Sequence, residues 1–323
     1  MSAKNKVFVR QLTGYATFNL RFETKTGLLI QVPIQAQAYR IGGADKYPMT
    51  TKVRYGDVEL EVPYVPGSSI KGRLRALLEI ATNQRLFTTD KKIWQYTRSL
   101  RAMSIDEFIK DIHERNLISE LFGWAAANFK QTVDELKKEK SMGDQQAEEE
   151  AYKAFQLLSI TRLLFSDFYP TPDYVKKAGI TSVADFLEEK PENRIDRVTA
   201  AADPREVVRV RPGVVFEGVV NMLLFDHDKD MISKYLETFV TGLELLEATY
   251  LGSSGSRGYG RIEFTGKSVK ILKINPRIIE SGRMISEVTT IEFKSLRDLR
   301  TQLEKLKEAL QNLYTQSVSV IAG

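Results

Sequence analysis

Ser68, Ser69, Lys71, Arg73 and Arg75 fall in one short stretch, "PGSSIKGRLR", which opens an amphipathic run reaching residue 82. The first turn of a helix exposes unpaired N–H groups with a partial positive charge, and small Gly and Ser side chains let a phosphate approach them. Lysine and arginine add mobile cations. Gly67 and Gly72 have the spacing of a Walker A loop, but Arg73-Leu74 stands where Lys-Ser/Thr belongs, which disfavours nucleoside triphosphate hydrolysis. The plainer alternative is a capped helix start with basic residues on its surface.

Two further stretches have the same chemical flavour. "LGSSGSRGYGRIEF" (251–264) packs Gly252, Gly255, Gly258 and Gly260 around Ser254, Ser256, Arg257 and Tyr259. Glycines let the main chain come close to a partner backbone, Arg257 can pair with phosphate, and Tyr259 can stack on a base or pack inward. "NRIDRVTAAADPREVVRVRPG" (193–213) carries Arg194, Arg197, Arg205, Arg209 and Arg211. In an extended strand Arg205, Arg209 and Arg211 share one face with Val208 and Val210 on the other, which predicts a basic arm. A connecting loop and a charged edge strand are the respective alternatives.

Two other candidates fail on chemistry. In "DHDKDMISKYLE" Asp226, Asp228, Asp230 and Glu237 match EF-hand positions, but Met231 replaces the turn glycine and helix follows, so the segment reads as a loop whose acids start a helix. His113 lies in a charged helical context and reads as a surface residue.

These motifs need elements to hold them. Residues 15–41 alternate as strand material, with turns at Lys25-Thr26-Gly27 and near Pro33. Residues 42–57 read as a long loop. A helix is expected over 69–82, with Ile70, Leu74, Leu77 and Ala81 on one face and Ser68 or Ser69 as its N-cap. Residues 85–157 read as an inserted helical module. Strands are expected at 157–169, 213–225 and 261–272, and a strong helix over 232–250 that Gly252 stops. Leu296, Leu299, Leu303, Leu306, Leu310 and Leu313 form a heptad seam that needs a groove, a partner or its own domain to cover it. The fold class is α+β, with strands and helices alternating around an antiparallel sheet.

Composition narrows the function further. In a chain of 323 residues, 47 basic side chains against 42 acidic leave a net charge of +5, which permits a polyanionic partner. The acids crowd into 134–150 and 185–192, whereas 65–75, 194–211 and 252–261 are basic, a sorting that suggests a basic face opposite an acidic one. No cysteine and only two histidines exclude disulfides, thiolate nucleophiles and Cys- or His-rich metal centres, so any metal must sit on oxygen ligands. No run approaches the roughly 20 apolar residues that span a bilayer, and no apolar signal-like core is present, so an intracellular, cytoplasmic protein without a membrane partner is expected.

Taken in order, "PYVPGSSIKGRLRALLE", "LFGW", "RLLFSDF", "IDRVTAAADPRE" and "YLGSSGSRGYGRIEF" resemble the RAMP proteins that form the repeating backbone of type III CRISPR effector complexes, specifically in the Csm branch. The resemblance spans most of residues 15–270. It implies a ferredoxin-like, RRM-related core at 1–84 and 158–285, with a thumb-like arm near 193–213, a helical insertion at 85–157 and a C-terminal amphipathic helix at 286–323. Copies would stack head to tail along a CRISPR RNA, beside paralogous RAMP subunits and other effector subunits. Ser68, Ser69, Lys71 and Arg75 would grip the guide backbone together with Arg73, with Gly255, Ser256, Arg257 and Gly258 beside it. The arm would intrude into the guide–target duplex and splay out a nucleotide. The resemblance also implies metal-dependent cleavage of complementary target RNA at regular intervals, with Mg²⁺ or Mn²⁺, through one loop aspartate whose counterpart is Asp45. This loop departs from the family pattern, since Lys46 and Tyr47 separate Asp45 from Pro48; Asp57 is the other acid of the loop. The alternative is a non-catalytic RNA-binding scaffold of the same complex. The helical insertion and the C-terminal helix are expected to meet neighbouring subunits.

Overall fold

A computed structural model describes residues 11–32, 46–88, 91–96, 103–123, 129–158, 161–275 and 284–315. Asp45, and with it Pro33 and the rest of 33–45, lies outside the described residues.

The longest strand, β1 (Leu12–Thr24), alternates from Gly14 onward: Ala16, Phe18, Leu20 and Phe22 are buried, while Thr17, Asn19, Arg21 and Glu23 face the half-exposed side. It sits at the centre of an antiparallel sheet with β8 (Val215–Phe225) on one flank and β10 (Lys267–Ile274) on the other. The strand order is β11-β10-β1-β8-β4, where β4 is Leu163–Phe165 and β11 is Ile285–Phe293; the short β5 (Tyr169–Pro170) joins β8 and β9 (Ile262–Phe264) joins β1. Helices cover the buried face. In α1 (Gly67–Ala81) Ile70, Leu74 and Leu78 point inward, and in α7 (Ile232–Ala248) Phe239 meets Phe18 edge-on at 4.9 Å. This is the α+β, ferredoxin-like arrangement expected from the sequence.

The loop expected over 42–57 is half strand. β2 (Thr50–Tyr55) pairs with β3 (Val58–Pro63) around Gly56 and Asp57, in register from Thr50–Pro63 to Tyr55–Val58. Lys52 and Arg54 in "TTKVRY" hide its period-two alternation.

The helical segment contains α2 (Ile105–His113), α3 (Leu117–Phe122), α4 (Phe129–Lys140) and α5 (Asp144–Leu158). Ile105, Val133, Leu136, Ala147 and Ala151 make a small core of their own. Helix α3 does not belong to it: Ile118, Leu121 and Phe122 are part of the main core. A buried ionic network fastens the join. Arg162, 1% exposed, donates to both oxygens of Asp228, and Arg115 donates to Asp228 at 2.6 Å and to Glu120 at 2.9 Å, while the Tyr235 hydroxyl also bonds Glu120. Asp228 therefore spends its carboxylate on two arginines and on the Phe225 N–H at 3.0 Å. His113 is half exposed, 3.5 Å from Glu150.

The segment expected to be a single C-terminal helix from 286 begins instead with β11, whose "ISEVTTIEF" pairs along β10. Helix α8 (Leu296–Thr301) and helix α9 (Leu303–Thr315) follow. All six leucines of the seam are buried in the main core, so the seam is covered by its own sheet and helices.

Candidate nucleic-acid interface

The start of α1 is built differently from the sequence expectation. Pro66 is the N-cap residue and makes no side-chain cap; Ser68 and Ser69 lie inside the first turn. The cap comes from far along the chain, where Asp167 Oδ1 accepts the Gly67 N–H at 2.8 Å. The serine hydroxyls are thus spared. Ser68 is exposed and Ser69 half-buried, and one turn on stands Lys71. Burial, and then the charge of Arg75, lowers the pKa of Lys71, so a phosphate would relieve a poorly solvated cation.

The two arginines that follow are anchored to the protein. Arg73 Nε donates to the Tyr250 carbonyl at 3.1 Å, and its guanidinium lies over the Tyr250 ring, 4.1 Å from the centroid. Arg75 is turned inward: it donates to Glu79 at 2.7 Å, to the Gly123 carbonyl at 3.2 Å and to the Tyr96 carbonyl at 2.6 Å. The two carbonyl bonds fasten α1 to the helical segment, and Glu79, one turn away on the same face, takes the Nε donor.

The same tyrosine ties the glycine-rich loop to this helix. A Cβ on Gly255 would stand 2.1 Å from the Tyr250 ring, so only glycine fits against it. Beyond Gly255 the apex turns outward. Ser256, Arg257 and Gly258 are exposed, Gly258 has φ 83°, and Arg257 donates to Ser254 Oγ at 2.7 Å.

Tyr259 takes the inward one of its two possible roles. Its ring is 1% exposed and packs with Leu29 and Val207, while Lys190 Nζ and Arg209 Cζ each lie 4.4 Å from its centroid. Its hydroxyl donates to Glu192 at 2.6 Å. Burial and then Glu192 push that hydroxyl up to about 12, so it keeps the proton it donates. Such a ring is closed to base stacking.

The arm is a two-stranded hairpin, β6 (Leu187–Ile195) with β7 (Ala202–Val210). Its pairing corrects the expectation of a basic arm set apart from an acidic face. Residues 187–210 hold six carboxylates and five basic side chains, and the acidic strand is the basic strand's own partner. Glu188 lies opposite Arg209 and bonds it at 2.7 Å; Arg194 lies opposite Asp203 at 3.4 Å; Glu192 lies opposite Arg205. Cross-strand charge pairs of this kind hold a hairpin's register. Arg209 is drawn in over Tyr259 and against Gly27, where a Cβ would meet its Nε at 2.1 Å. Arg211 lies beyond the strand end, half-buried, near the Tyr174 hydroxyl at 3.4 Å, and the buried valines are Val207 and Val210.

Arg194, Arg197 and Arg205 stay outward on the hairpin, Arg194 and Arg205 sharing the exposed Asp203, with a partly apolar tip, Ile195 at 62% and Val198 at 93% exposure. Asp196 shapes that tip, accepting from the Val198 N–H at 2.9 Å, the Thr199 N–H at 2.7 Å and the Thr199 hydroxyl at 2.9 Å.

One more segment reaches the root of the hairpin. Lys46 forms a parallel bridge to Val207, and its carbonyl accepts the Val208 N–H at 3.0 Å. The residue that precedes Lys46 in the chain is Asp45. Three motifs far apart in sequence therefore converge: the start of α1 meets the glycine-rich loop through Tyr250, and that loop meets the arm and the Lys46 segment through Tyr259. A separate groove of about 990 Å³ lies over the half-exposed face of the sheet, between the β2–β3 hairpin and α6 (Pro172–Lys177); Val53, Tyr55, Ile180 and Val219 line it, and Asp167 borders both it and α1.

A sheet with one helix-covered face and a cluster of small and basic residues at one end defines a ferredoxin-like protein suited to a polyanion. The RAMP superfamily matches residues 40–263, and the chain belongs to that superfamily. Among its relatives are proteins called "CRISPR system Cms endoribonuclease Csm3". The one from Methanothermobacter thermautotrophicus is 31% identical, over 87% of this chain and 94% of its own. The one from Methanocaldococcus jannaschii is 30% identical, over 75% of this chain and 77% of its own. The crystal structure of Methanopyrus kandleri Csm3 superposes with a TM-score of 0.51 at 18% identity, over 92% of this chain and 98% of that one, which supports the fold.

Proposed function

We propose that this protein is a CRISPR RNA-binding backbone subunit of a type III effector complex, working in the cytoplasm, and that it cuts complementary target RNA at regular intervals. The observation that carries this reading is the convergence of the α1 start, the glycine-rich apex and the hairpin on one surface, with Ser68, Ser256, Arg257, Arg194, Arg197 and Arg205 outward and Lys71 half-buried. Serine hydroxyls, loop amides and exposed cations bind phosphates and ignore base identity, as a guide of any sequence requires. Base pairing then supplies specificity. The Csm3 relatives, called endoribonucleases, extend the reading to cleavage. Copies of the same chain, paralogous RAMP subunits and other effector subunits are the protein partners.

Asp45 is the proposed catalytic carboxylate. Among the described residues no group of three acidic or histidine side chains is gathered to hold an ion. A hard divalent cation suits such a site, because magnesium binds one or two carboxylates with substrate phosphates and waters. Asp45 would be its protein ligand, and the ion, when bound, would polarise the phosphoryl oxygens. The chain's own part is to present Asp45 beside a nucleotide splayed by the arm, whose 2′-OH then lies in line with the phosphorus. Attack of that 2′-OH on the phosphorus would form the new P–O bond as the P–O5′ bond breaks; the 2′-proton passes to solvent, the 5′-oxygen leaves as a protonated hydroxyl, and a 2′,3′-cyclic phosphate remains.

The test is cleavage of a guide-complementary RNA by the reconstituted complex with Mg²⁺ or Mn²⁺, wild type against Asp45→Ala, with guide binding followed in parallel. Loss of the periodic cuts with guide binding retained supports the assignment. Cuts that persist in the variant move the carboxylate elsewhere, and a wild type that makes none leaves a binding scaffold.

A further inference from the structure

Tyr259 joins several segments of the interface. Its ring packs with Leu29, which follows β1, and with Val207 of β7, the residue that Lys46 bridges. Lys190 of β6 and Arg209 of β7 lie against its ring, so both strands of the hairpin touch it. Its own backbone closes the glycine-rich loop, where the next residue's N–H, that of Gly260, donates to the Gly27 carbonyl at 2.9 Å.

The hydroxyl reaches the hairpin itself. Glu192 receives it at 2.6 Å and also faces Arg257 Nε at 3.8 Å, so a single carboxylate spans from the hairpin to the exposed cation of the loop. Glu192 stands three residues before Ile195, at the tip end of β6. The tyrosine hydroxyl first, and then Arg257, Lys190 and Lys46, hold its carboxyl below the usual range, so it remains a charged acceptor at neutral pH. Leu28 and Lys46 bridge the hairpin near its root, at Val210 and Val207, and beyond them a two-stranded ribbon twists and bends readily. A bond part-way along removes that freedom.

We propose that Tyr259, held by Glu192, is a positioning residue that fixes the angle of the β6–β7 hairpin to the glycine-rich loop and thereby sets which target phosphodiester is cut. The proposal rests on the reading of the hairpin as the element that splays target nucleotides. Neither residue touches RNA in this assignment. Their effect passes through the hairpin tip, Ile195 to Val198, and through Lys46 beside Asp45.

The experiment uses the reconstituted complex, guide RNA and an end-labelled complementary RNA, with cut positions mapped at single-nucleotide resolution. Tyr259→Phe removes one hydroxyl and keeps the packed ring; Glu192→Ala removes its acceptor and Glu192→Gln keeps one. Tyr259→Phe and Glu192→Ala should retain guide binding within twofold, lower kcat about tenfold at unchanged KM and spread each cut over adjacent phosphodiesters. Glu192→Gln should restore single-position cutting. Sharp cuts at wild-type positions, merely fewer of them, would mean that the pair only stabilises the fold and would overturn the proposal. Asp45→Ala run alongside keeps the two assignments separate. A 2-aminopurine at the displaced target position reports the arm even where no cutting occurs: its fluorescence should fall in Tyr259→Phe, and an unchanged signal would count against the pair.

Discussion

Arg73 contacts Tyr250 twice, through a 3.1 Å hydrogen bond to its carbonyl and through a guanidinium 4.1 Å from its ring centroid, and the same ring takes the backbone of Gly255. Two glycine-rich motifs separated by about 180 residues are thereby one rigid surface. Gly255→Ala should strain it, because the new methyl must fit within 2.2 Å of three ring carbons. Overpacking of this kind costs about 1–3 kcal/mol. Thermal unfolding and RNA titration should show lower stability together with weaker binding. An alanine variant unchanged in both would refute the coupling.

Arginines on this surface differ in where their donors go, and salt should tell them apart. Arg257 is exposed at the loop apex, whereas Arg75 spends its guanidinium on Glu79 and two carbonyls. Each phosphate contact to a single strand contributes about 0.7 to the slope of log affinity against log salt. Arg257→Ala should lower that slope by about this amount. Arg75→Ala should leave the slope alone and lower the denaturation midpoint instead, so equal slopes for the two variants would be incompatible with this division.

Asp228 should prove the most sensitive point of the join between helical segment and core. Burial works against its charge, yet Arg162, through its charge and its hydrogen bonds, keeps the carboxyl below the usual range. Removing one partner of such a buried pair costs about 3–5 kcal/mol, because Arg162 is left without its counter-charge. Asp228→Asn should therefore lower the denaturant midpoint strongly. A depressed folded pKa gives stability that is present above the unfolded value of about 3.9 and lost as pH falls through the folded one. The wild-type acid limb should flatten in the asparagine variant; an unaltered limb would exclude this network as its source.

Much of this arrangement is legible in the chain before any coordinates. Ile70 and Leu74 announce α1, the run from Ile232 to Leu246 announces α7, and the motif order announces the family. Pairwise partners across long separations are less so. The cap of α1 comes from Asp167, 100 residues away, so Ser68 and Ser69 look like caps by proximity alone. The acidic 185–192 and the basic 194–211 look like separate patches until the hairpin lays Glu188 against Arg209. Tyr259 could face either way, and only its neighbours Leu29 and Val207, from two other segments, decide it. The leucine spacing after 296 is a stronger pattern than the β-branched "EVTTI" before it, which pairs as part of β11. Asp45 is carried by resemblance, with the Lys46 bridge as its nearest described neighbour in the chain.

The hairpin tip carries the last prediction, and it is one of pH. Asp196 accepts from the Thr199 and Val198 amides and from the Thr199 hydroxyl, and these bonds, the Thr199 amide foremost, lower its pKa. An ionised acceptor at a tight turn holds both amides and so fixes the direction of Val198, which is 93% exposed. The sign follows from the direction of the shift: the turn is held above the ordinary aspartate value of about 3.9 and loosens as pH falls through the depressed one. Amide proton shifts of Val198 and Thr199 should titrate together, with a midpoint below that value. Asp196→Asn keeps an acceptor oxygen and should preserve the turn while abolishing the titration, whereas Asp196→Ala should lose both. A midpoint at or above the ordinary value, or a titration that survives in the asparagine variant, would place the charge that shapes the tip on another residue.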